Sequence, residues 1–230
     1  MDILQQTIDE IAELEKKKPE GGHIVTGEIR KLSSSLFRKI EDKSIDNVLL
    51  ICETLLEQHS WPIRVIAFDF AYRVRRQYDL NTYTIFYRWL KDYVCGWGDC
   101  DDFCTHAFGE LLRQQKSIFS IIMDWTQDKD FWVRRASAVI LIPSILKDDL
   151  TGIDPIAIAD RLLMDEHDLV LKGYGWMLKS LSLVNQDKVE VYLKKNSNKM
   201  PRVAFRYALE KFEPEKRKEL LHGDGASVQE

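Results

Sequence analysis

Ten residues, Cys95 to Cys104, read CGWGDCDDFC and hold one Trp, three Asp and three Cys. Four kinds of chemistry can use such a set. Metal binding is the first to test, with Cys95, Cys100, Cys104 and His106 as ligands. The spacing C-x4-C-x3-C-x-H matches none of the usual zinc patterns, and Cys100 and Cys104 share one helical face, so buried free thiols are expected and no metal. Helix capping is the second. Asp is favoured at a helix start, where it meets unpaired N–H groups and the positive end of the dipole. One Asp meets that need, and Asp99 is the expected cap. Nucleophilic catalysis is the third: the histidines His23, His59, His106, His167 and His222 are scattered, with no Ser or Cys partner at a telling spacing. The fourth is a carboxylate beside an aromatic wall, which suits a cation through charge and cation–π attraction. Trp97 stands between two glycines in a polar turn, a poor setting for core, although packing between helices is the competing reading for it and for Trp176.

The elements that must position these groups are helices. Apolar residues recur at i, i+3, i+4 and i+7 almost throughout, as in IDNVLLICETLLEQ (45–58) and DPIAIADRLLMDE (154–166). Breaks such as PEGGH, HSWP, GWGD, QDKDFW and NKMP come every 12 to 18 residues. About twelve helices and no strand are predicted. Several helices open alike: WPIRVIAFDFA, FWVRRASAVIL, LVLKGYGWML and MPRVAFRYAL, each with a basic residue early, namely Arg64, Arg135, Lys172 and Arg202. The gaps are 71, 37 and 30 residues, and counting 37 on from Arg64 lands on Asp101. The pattern predicts an all-α superhelical solenoid of HEAT-like or ARM-like repeats over 1–221, with a tail at 222–230 expected to be disordered. Asp101 is then the acidic member of a basic row on the concave face. Arginines that only cap helices or pair with acids between repeats are the plainer alternative.

Composition narrows the class. The 230 residues are 45% hydrophobic and 30% charged, with 11 Gly and 6 Pro, which suits a helix-rich globular chain. No apolar run reaches membrane-spanning length. The start, MDILQQTIDEIAELEKKKPE, reads as an amphipathic helix and not a signal peptide, and a cytoplasmic, monomeric protein is expected. The net charge of −4 argues against nucleic acid if taken alone. Its distribution argues otherwise: Lys194 to Arg206 carries five basic residues and no acidic one, so a local basic face is available. P-loop, G-x-G-x-x-G and H-E-x-x-H motifs are missing, and no cofactor is expected.

GWGDCDDF, DFWVRRASAV, LKGYGWMLK and RVAFRYALEKF, in that order, resemble the DNA alkylation repair family, the AlkD-like alkylpurine DNA glycosylases built of HEAT-like repeats. The likeness runs from about Trp61 to Phe212. It departs at Gly98, where an Asp is expected, and at Asp102, which duplicates the neighbouring charge. The resemblance implies a catalytic carboxylate at Asp101, four residues after Trp97, with Arg135 after Trp132 and Trp176 after Lys172 at the lesion. It implies phosphate contacts from Arg64, Arg135, Lys172, Arg202 and Arg206, and duplex DNA with alkylated bases as partner. The implied reaction is hydrolysis of the N-glycosidic bond of N3- or N7-alkylpurines in base excision repair, the lesion being read from the backbone side. A relative that binds distorted or branched DNA without turnover, and a protein-binding helical scaffold, are the alternatives.

Overall fold

Short polar residues placed just ahead of apolar runs decide where the helices begin. Asp2, Asp130 and Asp154 each accept the backbone N–H two residues on, at 2.9, 2.9 and 3.0 Å, and Asn185 accepts that of Lys188 at 3.0 Å. Asp79 and Thr82 bond reciprocally, Thr82 N to Asp79 Oδ1 at 2.9 Å and Asp79 N to Thr82 Oγ1 at 3.1 Å. Pro62 and Pro155 stand in first turns, where no N–H partner is lost.

The computed structural model describes residues 2–222; of the expected tail, 223–230 lie outside the described residues. Every described element is a helix, and none is long and apolar enough to cross a membrane. The chain divides into two units, Met1–Leu111 and Leu112–Glu230. The first holds α1 (Ile3–Lys16), α2 (Thr26–Lys39), α3 (Ile45–Leu56), α4 (Trp61–Arg73), α5 (Leu80–Asp92) and α6 (Trp97–Thr105), with α7 (Ala107–Gln114) reaching the boundary. The second holds α8 (Phe119–Trp125), α9 (Phe131–Val139), α10 (Ile142–Leu146), α11 (Pro155–Leu162), α12 (Asp168–Ser182), α13 (Gln186–Asn196), α14 (Arg202–Ala208) and α15 (Pro214–His222). Fifteen described helices exceed the twelve read from periodicity. The excess comes from short elements such as five-residue α10, and from a break at His106 (φ −122°, ψ −93°) that separates α6 from α7.

In the first unit, α4 packs on α2, α3 and α6 and is buried from Ile63 to Ala71. Its sequence is apolar on all sides, which is the pattern of a helix with no solvent face. Phe68 stacks on Phe103 of α6 at 4.4 Å, and Phe86 meets Phe103 at 5.2 Å and Trp89 at 5.3 Å. Each of these rings stabilises the fold by about 1.5–3 kcal/mol through burial. The two charges that α4 takes inside are both paired. Asp69 accepts from Ser33 Oγ at 2.5 Å and Arg73 Nε at 2.7 Å, while Arg64 reaches α6.

In the second unit α12 is central, packing on α9, α10, α11, α13 and α14. Its glycines are explained by that crowding. A Cβ on Gly175 would lie 2.7 Å from Tyr207 Cβ and 2.8 Å from Ala204 O of α14, closer than real Cβ atoms approach anything. A Cβ on Gly173 would lie 3.1 Å from Arg135 Cγ. The close approach that KGYG permits is therefore by other helices of the protein.

Candidate active site

The first turn of α6 sorts the three aspartates. Gly96 is its N-cap and supplies no side-chain cap, so the donors at the helix start turn to Asp99, the third helical residue. Asp99 is buried and takes the Cys95 N–H at 3.3 Å on Oδ2, with Cys95 Sγ at 3.6 Å. Its other oxygen takes Arg64 Nε at 2.9 Å. Asp99 thus serves the helix start, from inside the turn and with a buried guanidinium on its far side.

Asp102 faces a different partner. Arg30 of α2 donates to its Oδ1 at 2.5 Å and stands 3.7 Å from Asp69. His106 Nδ1 lies 3.8 Å from the same Oδ1 and 3.0 Å from the Asp102 carbonyl oxygen. The side chain of Asp102 is nine-tenths buried, and Oδ2 has no hydrogen-bond partner. Burial pushes its carboxyl above the usual carboxylate range, against the lowering pull of Arg30 and His106.

Asp101 is half-buried and lines a cleft of about 590 Å³ in the first unit, with its carbonyl accepting from Thr105 Oγ1 at 2.6 Å. The cleft is bounded by Arg30, Trp61, Arg64, Trp97, Asp102 and His106. Trp97 opens α6 with 65% of its surface exposed, an unusual state for a residue that large. Of the residues singled out from sequence, this unit brings Trp97, Asp101 and Arg64 to one cavity. Trp61 and Arg30 belong to it as well and were not singled out from sequence, and His106, weighed there as a metal ligand, joins them. Trp61 carries a signal that repeat phase exposes: it begins α4 as Trp97 begins α6, 36 positions later. Arg30 carries none, since it meets Asp102 across 72 residues of chain.

Arg64 departs from its expected part in an exposed basic row. Its side chain is 7% exposed and held by Asp99. The reason is register. Asp101, Arg135, Lys172 and Arg206 are each the fifth residue of their helices, α6, α9, α12 and α14, whereas Arg64 is the fourth residue of α4 and Val65 the fifth. Arg202 opens α14 and donates to the Leu221 carbonyl at 3.3 Å, so Arg206, exposed on α14, is the member in step.

In the second unit Arg135 is buried on α9, its Nη1 donating to the Leu169 carbonyl at the start of α12 and its stem lying against Gly173. Lys172 pairs with Asp168 at 2.5 Å and is held above its ordinary pKa chiefly by that hydrogen bond. Trp176, four residues on, is half-buried. Trp132 is half-buried too, its ring 4.5 Å from Phe131. Cys52, Cys95, Cys100 and Cys104 are free thiols, and among the described residues no three His, Cys, Asp or Glu side chains converge as metal ligands.

The family model of the DNA alkylation repair enzyme matches residues 16–212. The chain belongs to that family. A solved structure named as a predicted DNA alkylation repair enzyme from Enterococcus faecalis superimposes with a TM-score of 0.68 at 16% identity, covering 83% of this chain and 87% of that one. The protein smu.31 from Streptococcus mutans is also similar, with a TM-score of 0.62 at 18% identity over 91% of this chain and 98% of that one. At such identities the likeness establishes a shared all-α fold. No curated protein matches the chain. A member of the DNA alkylation repair enzyme family acts in DNA repair, and the fold class read from the sequence agrees with these neighbours.

Proposed function

We propose that this family member is a monofunctional alkylpurine DNA glycosylase with Asp101 as its catalytic carboxylate. The observation that carries the reading is that half-buried Asp101 lines the cleft beside an exposed indole, four residues after Trp97. An N3- or N7-alkylated purine already carries a positive charge. Its bond to C1′ breaks with the electron pair passing to the base, which leaves neutral and needs no acid. The sugar is left as an oxocarbenium-like cation until water adds at C1′ and loses a proton to solvent. A carboxylate aimed at that cation lowers the barrier electrostatically, and its removal costs on the order of 3 kcal/mol, or about 100-fold in rate.

Trp97 would contact the sugar and backbone near the lesion, and Trp176 would contact DNA through the second unit. Arg135, Lys172, Arg202 and Arg206 would supply the positive side of the interface, with Arg206 the most exposed member of the helical register. Duplex DNA with alkylated bases is then the partner, and Arg64 contributes by fixing α6.

The test is release of 7-methylguanine or 3-methyladenine from methylated duplex DNA by wild type and Asp101→Asn. Release that falls about 100-fold in the variant is expected. No release by the wild type, with salt-sensitive DNA binding intact, would establish binding without turnover instead; equal release by both would move catalysis away from Asp101.

A further inference from the structure

The cleft has a second aromatic wall. Trp61 opens α4 and Trp97 opens α6, 36 positions apart, so the two indoles are the same position of successive helical units. Both line the cleft that holds Asp101, and both also line a neighbouring cavity of about 690 Å³, so they form the wall the two cavities share. Gly98 is what lets Trp61 lie there. A Cβ on residue 98 would stand 3.1 Å from Trp61 Nε1, 3.9 Å from Cδ1 and 4.0 Å from Cε2. The indole edge therefore rests on α6 at Gly98, where no side chain stands in its way. Three carboxylates, Asp99, Asp101 and Asp102, face two guanidiniums, Arg30 and Arg64, around the same space, a negative formal sum with His106, which also lines it, counted as neutral. Two indoles lining a cleft of net negative charge favour a compact cation.

We infer that Trp61 is a specificity-determining residue, a second ring face that with Trp97 holds the cationic sugar beside Asp101. This rests on the glycosylase reading for the origin of the cation, though the cleft's preference for positive charge is measurable without turnover. Gly98 acts as a positioning residue, through the room it leaves for the Trp61 indole.

The experiment compares affinity for two duplexes. One carries a pyrrolidine in place of a single deoxyribose, protonated at neutral pH; the other carries an uncharged tetrahydrofuran of the same shape. Wild type is expected to prefer the pyrrolidine duplex. Trp61→Leu should reduce that preference about tenfold, the size of one desolvated ring–cation contact, and Trp61→Phe should restore part of it. Gly98→Ala favours the helix and so keeps the fold; by displacing the indole it should reduce the preference about two- to threefold. A purely structural Trp61 would lower the melting temperature and leave the ratio of affinities unchanged. An unchanged ratio in Trp61→Leu overturns the inference; if that variant does not fold, an unchanged ratio in Gly98→Ala does so. Equal wild-type affinity for the two duplexes overturns it as well. A wild-type preference that Trp61→Leu removes, together with no base release from methylated DNA, leaves the inference standing and removes the glycosylase reading.

Discussion

The charged groups around the cleft of the first unit and those on α9 and α12 of the second are held differently. In the first unit acids and bases meet as pairs: Arg64 with Asp99, Arg30 with Asp102, and Asp69 with Arg73. The pairing encloses a cleft with an exposed tryptophan at its lip. In the second unit the cations of the same helical register meet other partners, Arg135 the Leu169 backbone carbonyl at the start of α12 and Lys172 an acid one turn back in its own helix. No aspartate takes the fifth position there. Register alone therefore does not assign a role. The difference between Asp101 and Arg135 lies in what surrounds each, an aromatic-walled cavity in one case and a close-packed helix face in the other.

The largest effect expected from breaking this contrast is on the buried pair. Arg64→Ala leaves Asp99 buried with its main counter-charge gone and should cost about 3–5 kcal/mol, seen as a lowered midpoint in urea unfolding. Lys at the same position should recover only part, since a guanidinium Nε–H is what meets Oδ1. A variant as stable as wild type would mean that Asp99 is satisfied from elsewhere.

Next in size is the packing of the second unit. Gly175→Ala puts a methyl within 2.7 Å of Tyr207 Cβ and 2.8 Å of the Ala204 carbonyl, neither of which can rotate away. A loss of about 1–3 kcal/mol is expected despite the gain in helix propensity. Thermal unfolding followed by circular dichroism measures it, and a stabilised variant would show that α12 and α14 can part at little cost.

The smallest effect concerns the exposed cation. If Arg206 contacts a phosphate, Arg206→Ala should weaken duplex binding uniformly across sequences and flatten the plot of log K against log salt by about 0.9. Stability should hardly move, because the side chain is exposed. The matched change at buried Arg135 should do the reverse, shifting stability more than the salt slope. Equal behaviour of the two would erase the contrast between them.

Much of the fold was legible in the sequence because helix-period patterning is a local property. The run from Ile45 to Gln58 needs no distant partner to declare its apolar face, and Asp130 or Asp154 mark helix starts through bonds that span two residues. Trp97 and Asp101 stood out as candidates for a similar reason, a tryptophan in a glycine turn and three clustered acids, and the structure brings both to one cavity. Arg64 could be read two ways, as a member of a surface row or as an arginine paired with an acid between repeats, and its pairing with Asp99 is the second. Its spacing to Asp101 suited a surface row, whereas a shift of one residue along α4 turns its side chain inward, about 100° around the helix.

The sequence by itself determined the class of the fold, the family, and the ten residues where an unusual carboxylate cluster had to be explained. Only the tertiary structure decided which aspartate faces which group. Arg30 comes to Asp102 from 72 residues away and Arg64 to Asp99 from 35, and such pairings have no local signature. They follow from how α2, α4 and α6 pack, because a buried carboxylate must find a donor wherever the fold brings one. Trp61 belongs to the same group: its indole reaches the cleft because α4 packs on α6 and residue 98 has no side chain.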